Sequence, residues 1–246
     1  MRNFFVYISL SFSLISCNRS FTFYDVEDKQ QKFTAEYLEQ DHSIENKIIP
    51  YRTQLEESMS EVVVAASASL PKAKPSSPLG NLLADATKKM AASLLARDID
   101  VGIMNYGGIR VPSISEGDVT LGNVYELMPF DNYLVVINLS GHQLTEVCHA
   151  IAAGGGWPVS GLKFKITNGL AYQIVINDSP LDLEQQYSVA ISDYLANGGD
   201  HLDMLRGLPQ INTNTLLRDA FLTYFRQIQD NGDALQLNNE MRISNE

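Results

Sequence analysis

The chain has 246 residues, 45% of them hydrophobic, enough for one large domain or two small ones around a buried core. Eighteen Lys and Arg stand against 29 Asp and Glu, a formal net charge of −11, and the basic residues form no cluster able to neutralise a run of phosphates, which excludes duplex nucleic acid as a partner. Four histidines (His42, His142, His149, His201) and two cysteines lie scattered without metal-ligand spacing, so no zinc ribbon or finger is expected.

Residues 1–17 read MRNFFVYISLSFSLISC, one Arg followed by an apolar stretch from Phe4 to Ile15 that is too short to span a bilayer comfortably. The pattern predicts a signal peptide over 1–16. Leu14-Ile15-Ser16-Cys17 resembles a bacterial lipobox, in which the cysteine thiol receives a lipid and becomes the new N-terminus. Lipid on Cys17 would leave Cys148 as the only thiol of the mature chain and anchor the protein at the bacterial envelope, with the outer membrane the expected location. Residues 17–42 are polar and mixed and are expected to act as a tether.

From Ser43, taken as the N-cap, Ile44, Ile48, Tyr51, Leu55 and Met59 recur at helical spacing and predict an amphipathic helix. Its apolar face is open to two readings, packing on its own sheet or docking a partner. Val62–Val64 predicts a buried strand. The loop PKAKPSSP (71–78) holds three prolines in eight residues, and a helix is expected from Leu79 to Leu95. The β-branched runs at 99–105 and 133–140 predict strands. Ser140-Gly141 opens a helix with Leu144, Val147, Cys148 and Ile151 on one face, closed by three glycines. Cys148 reads there as a small core residue rather than a nucleophile. Strands follow at 162–166, 171–176 and 187–192, the first two joined through Asn168-Gly169, a strong hairpin signal. A helix from Thr215 to Gln229 and a short C-terminal strand complete an α+β order without a Gly-x-Gly-x-x-Gly turn.

Three loop motifs stand at strand ends, where polar groups converge most easily. NYGGIR (105–110) combines a flexible glycine pair with the amide of Asn105 and the cation of Arg110. MPFDN (128–132) sets Phe130 behind a proline with Asn132 close by, and taken alone its Phe reads equally as a plug for the core. In DYLANGGD (193–200), the glycine pair is expected to place Tyr194 and Asp200 on opposite sides of a small concavity, one a ring face and the other a carboxylate suited to paired hydroxyls. Two aromatics from two loops can clamp a flat heterocycle, so the composite reads as a nucleoside site.

The strings NxGGIR, GDVT (117–120), PFxN, L-x-G-x-x-L (139–144) and NGGD in this order, with PLGNLLADA (78–86) ahead of them, resemble the C-terminal, substrate-binding domain of the 5′-nucleotidase family over roughly residues 44–240. The resemblance implies a four-layer α/β/β/α fold, consistent with the α+β reading, and places the domain at 43–246. It implies that Phe130 and Tyr194 sandwich the base, Asp200 binds the ribose hydroxyls, Arg110 contacts ribose or phosphate, and Asn105 and Asn132 touch the base. Gly107 and Gly108 lend backbone contacts, and Asn197 joins the substrate-binding set.

The family's catalytic half, a metallophosphoesterase domain with two divalent metal ions, has no counterpart in this sequence: its Asp-x-His and Gly-Asn-His-Asp/Glu strings do not occur. Two-metal hydrolysis needs several carboxylate and imidazole ligands around ions about 3.5–4 Å apart. No catalytic residue is therefore assigned, and His142 and His201 read as surface or loop histidines. Where family members carry phosphate-directed arginines, this chain has Lys72 and Lys74, which supply point charges without bidentate geometry. The leading expectation is the nucleoside- or nucleotide-recognition half of a split 5′-nucleotidase that works with a separate metallophosphoesterase chain holding both metals. The alternatives are a lipid-anchored, non-enzymatic nucleoside-binding module and a structural lipoprotein that has lost its ligand.

Overall fold

In the computed structural model, which describes residues 42–246, the first helix α1 spans His42–Met59. It begins one residue before the expected cap Ser43, which lies inside it. The expected signal peptide, the lipidated Cys17 and nearly all of the tether fall outside the described residues. Within residues 47–59 of this helix, Ile48, Tyr51 and Leu55 are exposed, Tyr51 to 76%, so the packing alternative is not what this stretch adopts.

Residues 47–246 form one compact unit. Strand β1 (Val62–Ala66) is followed by the short β2 (Leu70–Pro71) and by helix α2 (Pro78–Leu95). The start of α2 has a local cause: the Ser77 hydroxyl accepts from the Gly80 N–H at 3.2 Å, and Pro78 occupies the first turn, where a missing N–H costs nothing. Next come β3 (Val101–Ile103), β4 (Ser113–Ile114), β5 (Gly117–Thr120), α3 (Leu121–Leu127), β6 (Tyr133–Ser140) and α4 (Gly141–Ala153). Both α3 and α4 open with reciprocal capping boxes, Thr120 with Asn123 and Ser140 with Gln143. The rest is β7 (Val159–Ser160), β8 (Leu162–Thr167), β9 (Leu170–Ile176), β10 (Ser179–Pro180), β11 (Gln186–Ser192), α5 (Asp193–Ala196), β12 (Gln210–Leu216), α6 (Leu217–Asp230) and β13 (Ile243–Asn245).

A five-stranded sheet of order β12-β6-β11-β3-β7 runs through the middle. Strands β6 and β11 pair antiparallel with Leu139 opposite Tyr187 and Val135 opposite Ile191, whereas β11 and β3 run parallel. Both faces of this sheet are apolar, which explains the uninterrupted β-branched runs. Leu134, Val136 and Ala190 point into a core shared with α2 and α6, where Phe221 and Phe225, four residues apart, are fully buried. Val135, Ile137 and Val189 point into a second core filled by α4 and the four-stranded sheet β10-β9-β8-β13. In β8 the alternation is strict: Leu162, Phe164 and Ile166 face inward while Lys163 and Lys165 face out. Cys148 sits in this second core, where burial pushes its thiol pKa up, as a structural residue would show. The chain adopts the expected α+β class, with helices packed on the five- and four-stranded sheets and two further two-stranded sheets, β1-β5 and β2-β4, beside them.

The strand expected at 99–105 shortens to β3, because from Asn105 the backbone turns into the loop described below. The helix expected from Thr215 starts at Leu217, since residues 210–216 form β12 on the edge of β6. That strand is polar in sequence because none of its side chains is buried.

Candidate functional site

The three strand-end loops converge on one side of the five-stranded sheet. β3 delivers Asn105, after which Tyr106–Gly108 make a single 3₁₀ turn closed by the Gly108 N–H to the Asn105 carbonyl at 3.1 Å. A side chain at residue 108 would place Cβ 2.5 Å from Asn105 Oδ1, so glycine there is what lets the asparagine amide fold over the turn. Arg110 Nη1 donates to the Gly107 carbonyl at 3.2 Å, and its guanidinium lies 5.7 Å from the centre of the Phe130 ring.

Phe130 is held from both sides in sequence: Met128 is buried, and Asp131 pairs with the buried Arg218 at 2.8 Å. Arg218 in turn stacks on Tyr125 at 4.3 Å. The Phe130 ring itself is left 40% exposed. On the third loop, the Ser192 hydroxyl caps the one-turn helix α5 by accepting from the Leu195 N–H. This turn presents Tyr194, 45% exposed, with the Gly199 backbone lying against its ring so closely that a Cβ there would fall 2.5 Å from Cε1 and Cζ.

Asp200 adopts a left-handed conformation (φ 49°, ψ 41°) and turns its carboxylate back onto this loop. Its Oδ1 accepts from the Tyr194 hydroxyl at 2.8 Å and its Oδ2 from Asn105 Nδ2 at 2.7 Å, joining the first and third motifs directly. Tyr194 and Asp200 therefore do not face one another across a concavity, as the sequence led us to expect. They are bonded neighbours on one wall. The hydrogen bond to Asp200, with a smaller contribution from burial, raises the Tyr194 phenol above its ordinary pKa and keeps it protonated as a donor.

The walls enclose a cavity of about 330 Å³ lined by Asn105, Gly107, Gly108, Arg110, Phe130, Asn132, Tyr194 and Asp200. Of the residues expected at a binding site, only Asn197 is not brought to it. Asn197 borders an adjoining open recess with Arg206 and accepts from Gln210 Nε2 at 2.9 Å.

Tyr106 has a part that the motif alone did not reveal. Lys72 Nζ stands 3.9 Å and Lys74 Nζ 4.7 Å from the centre of its ring. The two lysines also bond to the carbonyls of Ile109 and Gly154, bracing the glycine turn from behind. Burial, then the nearby charges of Arg110 and Lys74, lower the pKa of Lys72, as a gathering of like cations must. Only the spacing of Lys72 and Lys74 ahead of PLGNLLADA hinted at this arrangement.

Among the described residues, no three His, Cys, Asp or Glu side chains come together as metal ligands, so the two divalent ions that the resemblance implies have no fitting ligand set there. His142 is exposed and 3.5 Å from Glu184, and His201 is likewise exposed.

A sequence model of the family described as 5′-nucleotidase, C-terminal domain, matches residues 58–207. The 5′-nucleotidase of Vibrio parahaemolyticus is 29% identical over 141 residues, which span 55% of this chain and 23% of that protein. The cell wall protein Lmo0130 of Listeria monocytogenes is 26% identical over 182 residues, 68% of this chain and 23% of that protein. Among solved structures, the 5′-nucleotidase precursor of Thermus thermophilus is similar with a TM-score of 0.69 and 27% identity, covering 83% of this chain and 43% of that one. The chain thus spans less than half the length of each of these relatives. The matched stretch takes in more than half of the chain and all three loops that wall the cavity, and the chain belongs to the 5′-nucleotidase C-terminal domain family.

Proposed function

We propose that this chain is the nucleotide-recognition half of a 5′-nucleotidase-type phosphohydrolase, taking a nucleoside or nucleoside monophosphate into the cavity between Phe130 and Tyr194. The observation that carries this reading is the convergence of two exposed aromatic rings, a braced carboxylate and a guanidinium on one cavity of nucleoside size. In it, the two rings stack on the base, Asn105 and Asn132 reach the edge of the base, Asp200 accepts from the ribose hydroxyls, and Arg110 faces the ribose or phosphate. Gly107 lets the ligand approach the backbone, while Gly108 makes room for the Asn105 amide beside it.

Hydrolysis of the phosphomonoester belongs, in this reading, to a separate metallophosphoesterase chain that holds both divalent metals. The exposed apolar face of α1 is the surface offered to such a partner, since apolar side chains grouped on one exposed helix mark interaction sites. The N-terminal segment and the likeness to a cell wall protein support an exported chain, with lipid on Cys17 as its anchor in the bacterial envelope. A non-enzymatic nucleoside-binding module is the second reading, since the cavity can hold a nucleoside without a partner chain.

Calorimetric titration of the purified chain with adenosine and AMP tests recognition. Metal-dependent phosphate release from AMP, measured before and after adding candidate metallophosphoesterase chains from the same genome, tests the split enzyme. Activity gained only with both chains supports it. Binding without any gain leaves the second reading, and no binding rejects both.

A further inference from the structure

We propose that the Tyr194 hydroxyl determines sugar specificity: with Asn105 it fixes the Asp200 carboxylate so that the site selects a vicinal diol, and hence ribonucleosides over their 2′-deoxy counterparts. This inference rests on the nucleoside reading of the cavity and adds to it a role for one oxygen atom. An ionised carboxylate offers about four acceptor positions, two on each oxygen. Here one position on Oδ1 is taken by the Tyr194 hydroxyl and one on Oδ2 by Asn105 Nδ2. One acceptor position remains on each oxygen, and that pair can serve two adjacent hydroxyls.

The carboxylate is tied down at both ends, and each tie is itself held. The Asp200 N–H donates to the Tyr194 oxygen at 3.3 Å while that oxygen donates to Oδ1, a closed loop that the left-handed backbone at Asp200 makes possible. The Gly199 backbone supports the Tyr194 ring from one side, and the missing side chain at Gly108 leaves room for the Asn105 amide. A carboxylate free to rotate could satisfy a single hydroxyl and turn its other oxygen to water. A fixed one leaves an acceptor unmet when the 2′-hydroxyl is missing, and sites built to bond a hydroxyl reject analogues that lack it far more strongly than apolar pockets reject a missing methylene. The same ring that stacks on the base thus sets the sugar preference. A phenylalanine at 194 would keep the stacking surface and release Oδ1.

The test is calorimetric titration of the full chain and of Tyr194→Phe with the four common ribonucleosides and their 2′-deoxy counterparts. The expected result is a preference of about tenfold or more for the best-bound ribonucleoside over its deoxy form, falling to about threefold or less in Tyr194→Phe through weaker ribonucleoside binding. Ribonucleoside binding with a ratio unchanged by Tyr194→Phe overturns the proposal and leaves the nucleoside site standing. So does a wild-type chain that binds both sugars equally. Failure of the wild-type chain to bind any nucleoside overturns both. Tyr194→Phe keeps the ring and breaks the two bonds of its hydroxyl, so a thermal melt of the variant accompanies the ratio to separate the sugar contact from the fold, and Asn105→Ser, which removes the other tie, is expected to lower the ratio in the same direction.

Discussion

The guanidinium of Arg110 lies 5.7 Å from the centre of the Phe130 ring, so the first and second motifs meet at the wall of the cavity. A cation held on one side of the ring leaves the other side for stacking. Phe130→Ala is expected to weaken nucleoside binding by on the order of 1–3 kcal/mol, or about fivefold to 150-fold in Kd, with little effect on stability because the ring is already exposed. Calorimetry paired with thermal melting checks both halves of the statement.

The cations behind the glycine turn lead to a contrast between ligands. Arg110→Ala is expected to reduce AMP binding more than adenosine binding, since a guanidinium gains most from an anionic oxygen. Lys72→Met, which keeps the aliphatic stem but removes the charge over Tyr106, is expected to loosen the 105–110 turn and weaken both ligands alike. The ratio of AMP to adenosine affinity in each variant is the readout.

Far from the cavity, Arg242 holds β13 to α2. Both of its terminal nitrogens bond to the Asp85 carboxylate at 2.8 Å, while Nη1 also reaches the Val159 carbonyl and Nε reaches Glu240. Asp85→Ala would strip the buried guanidinium of its main counter-charge. A loss of roughly 3 kcal/mol is expected, because breaking a buried pair from one side leaves the other charge uncompensated and Glu240 makes up only part of the deficit. Urea unfolding of wild type and variant measures it.

Glu240 gives the stability a dependence on acid. Its hydrogen bond to Lys163, then that to Arg242, hold its carboxyl below the ordinary carboxylate value. A depressed folded pKa stabilises the native state above the unfolded value of about 4.3 and loses that stabilisation as pH falls through the folded value. Melting temperature is expected to drop more steeply below about pH 4 in wild type than in Glu240→Gln, with the two curves closest at the acid end.

The sequence was most informative where local chemistry decides structure. β6 and α4 run over the residues read for them, because a β-branched run flanked by polar loops and a capped apolar stripe leave few alternatives. Asn168-Gly169 does turn β8 into β9. β12 was missed because an edge strand needs no apolar alternation, and the exposed face of α1 could not be told from a packed one by spacing alone. Eight of the nine residues named for binding line one cavity, yet the contact between Tyr194 and Asp200 was not legible. It depends on a left-handed backbone at a non-glycine residue, and residue type does not announce that conformation. The bond from Asn105 to Asp200 bridges 95 residues of sequence, a distance over which motif order gives sequence but not geometry.

The last strands and helix reach back over almost everything that precedes them. β12 covers the edge of β6, Phe221 and Phe225 of α6 fill the first core, and β13 runs parallel to β8 with Ile243 opposite Phe164. All of these lie beyond residue 207, where the family match stops. A fragment trimmed to 58–207 would expose an unpaired edge of β6 and one open side of α2, and would aggregate rather than bind. The smallest piece that can be expected to fold, crystallise or be fused to another protein therefore runs through Asn245, and fusion boundaries should be set by strand pairing rather than by the span of recognisable motifs.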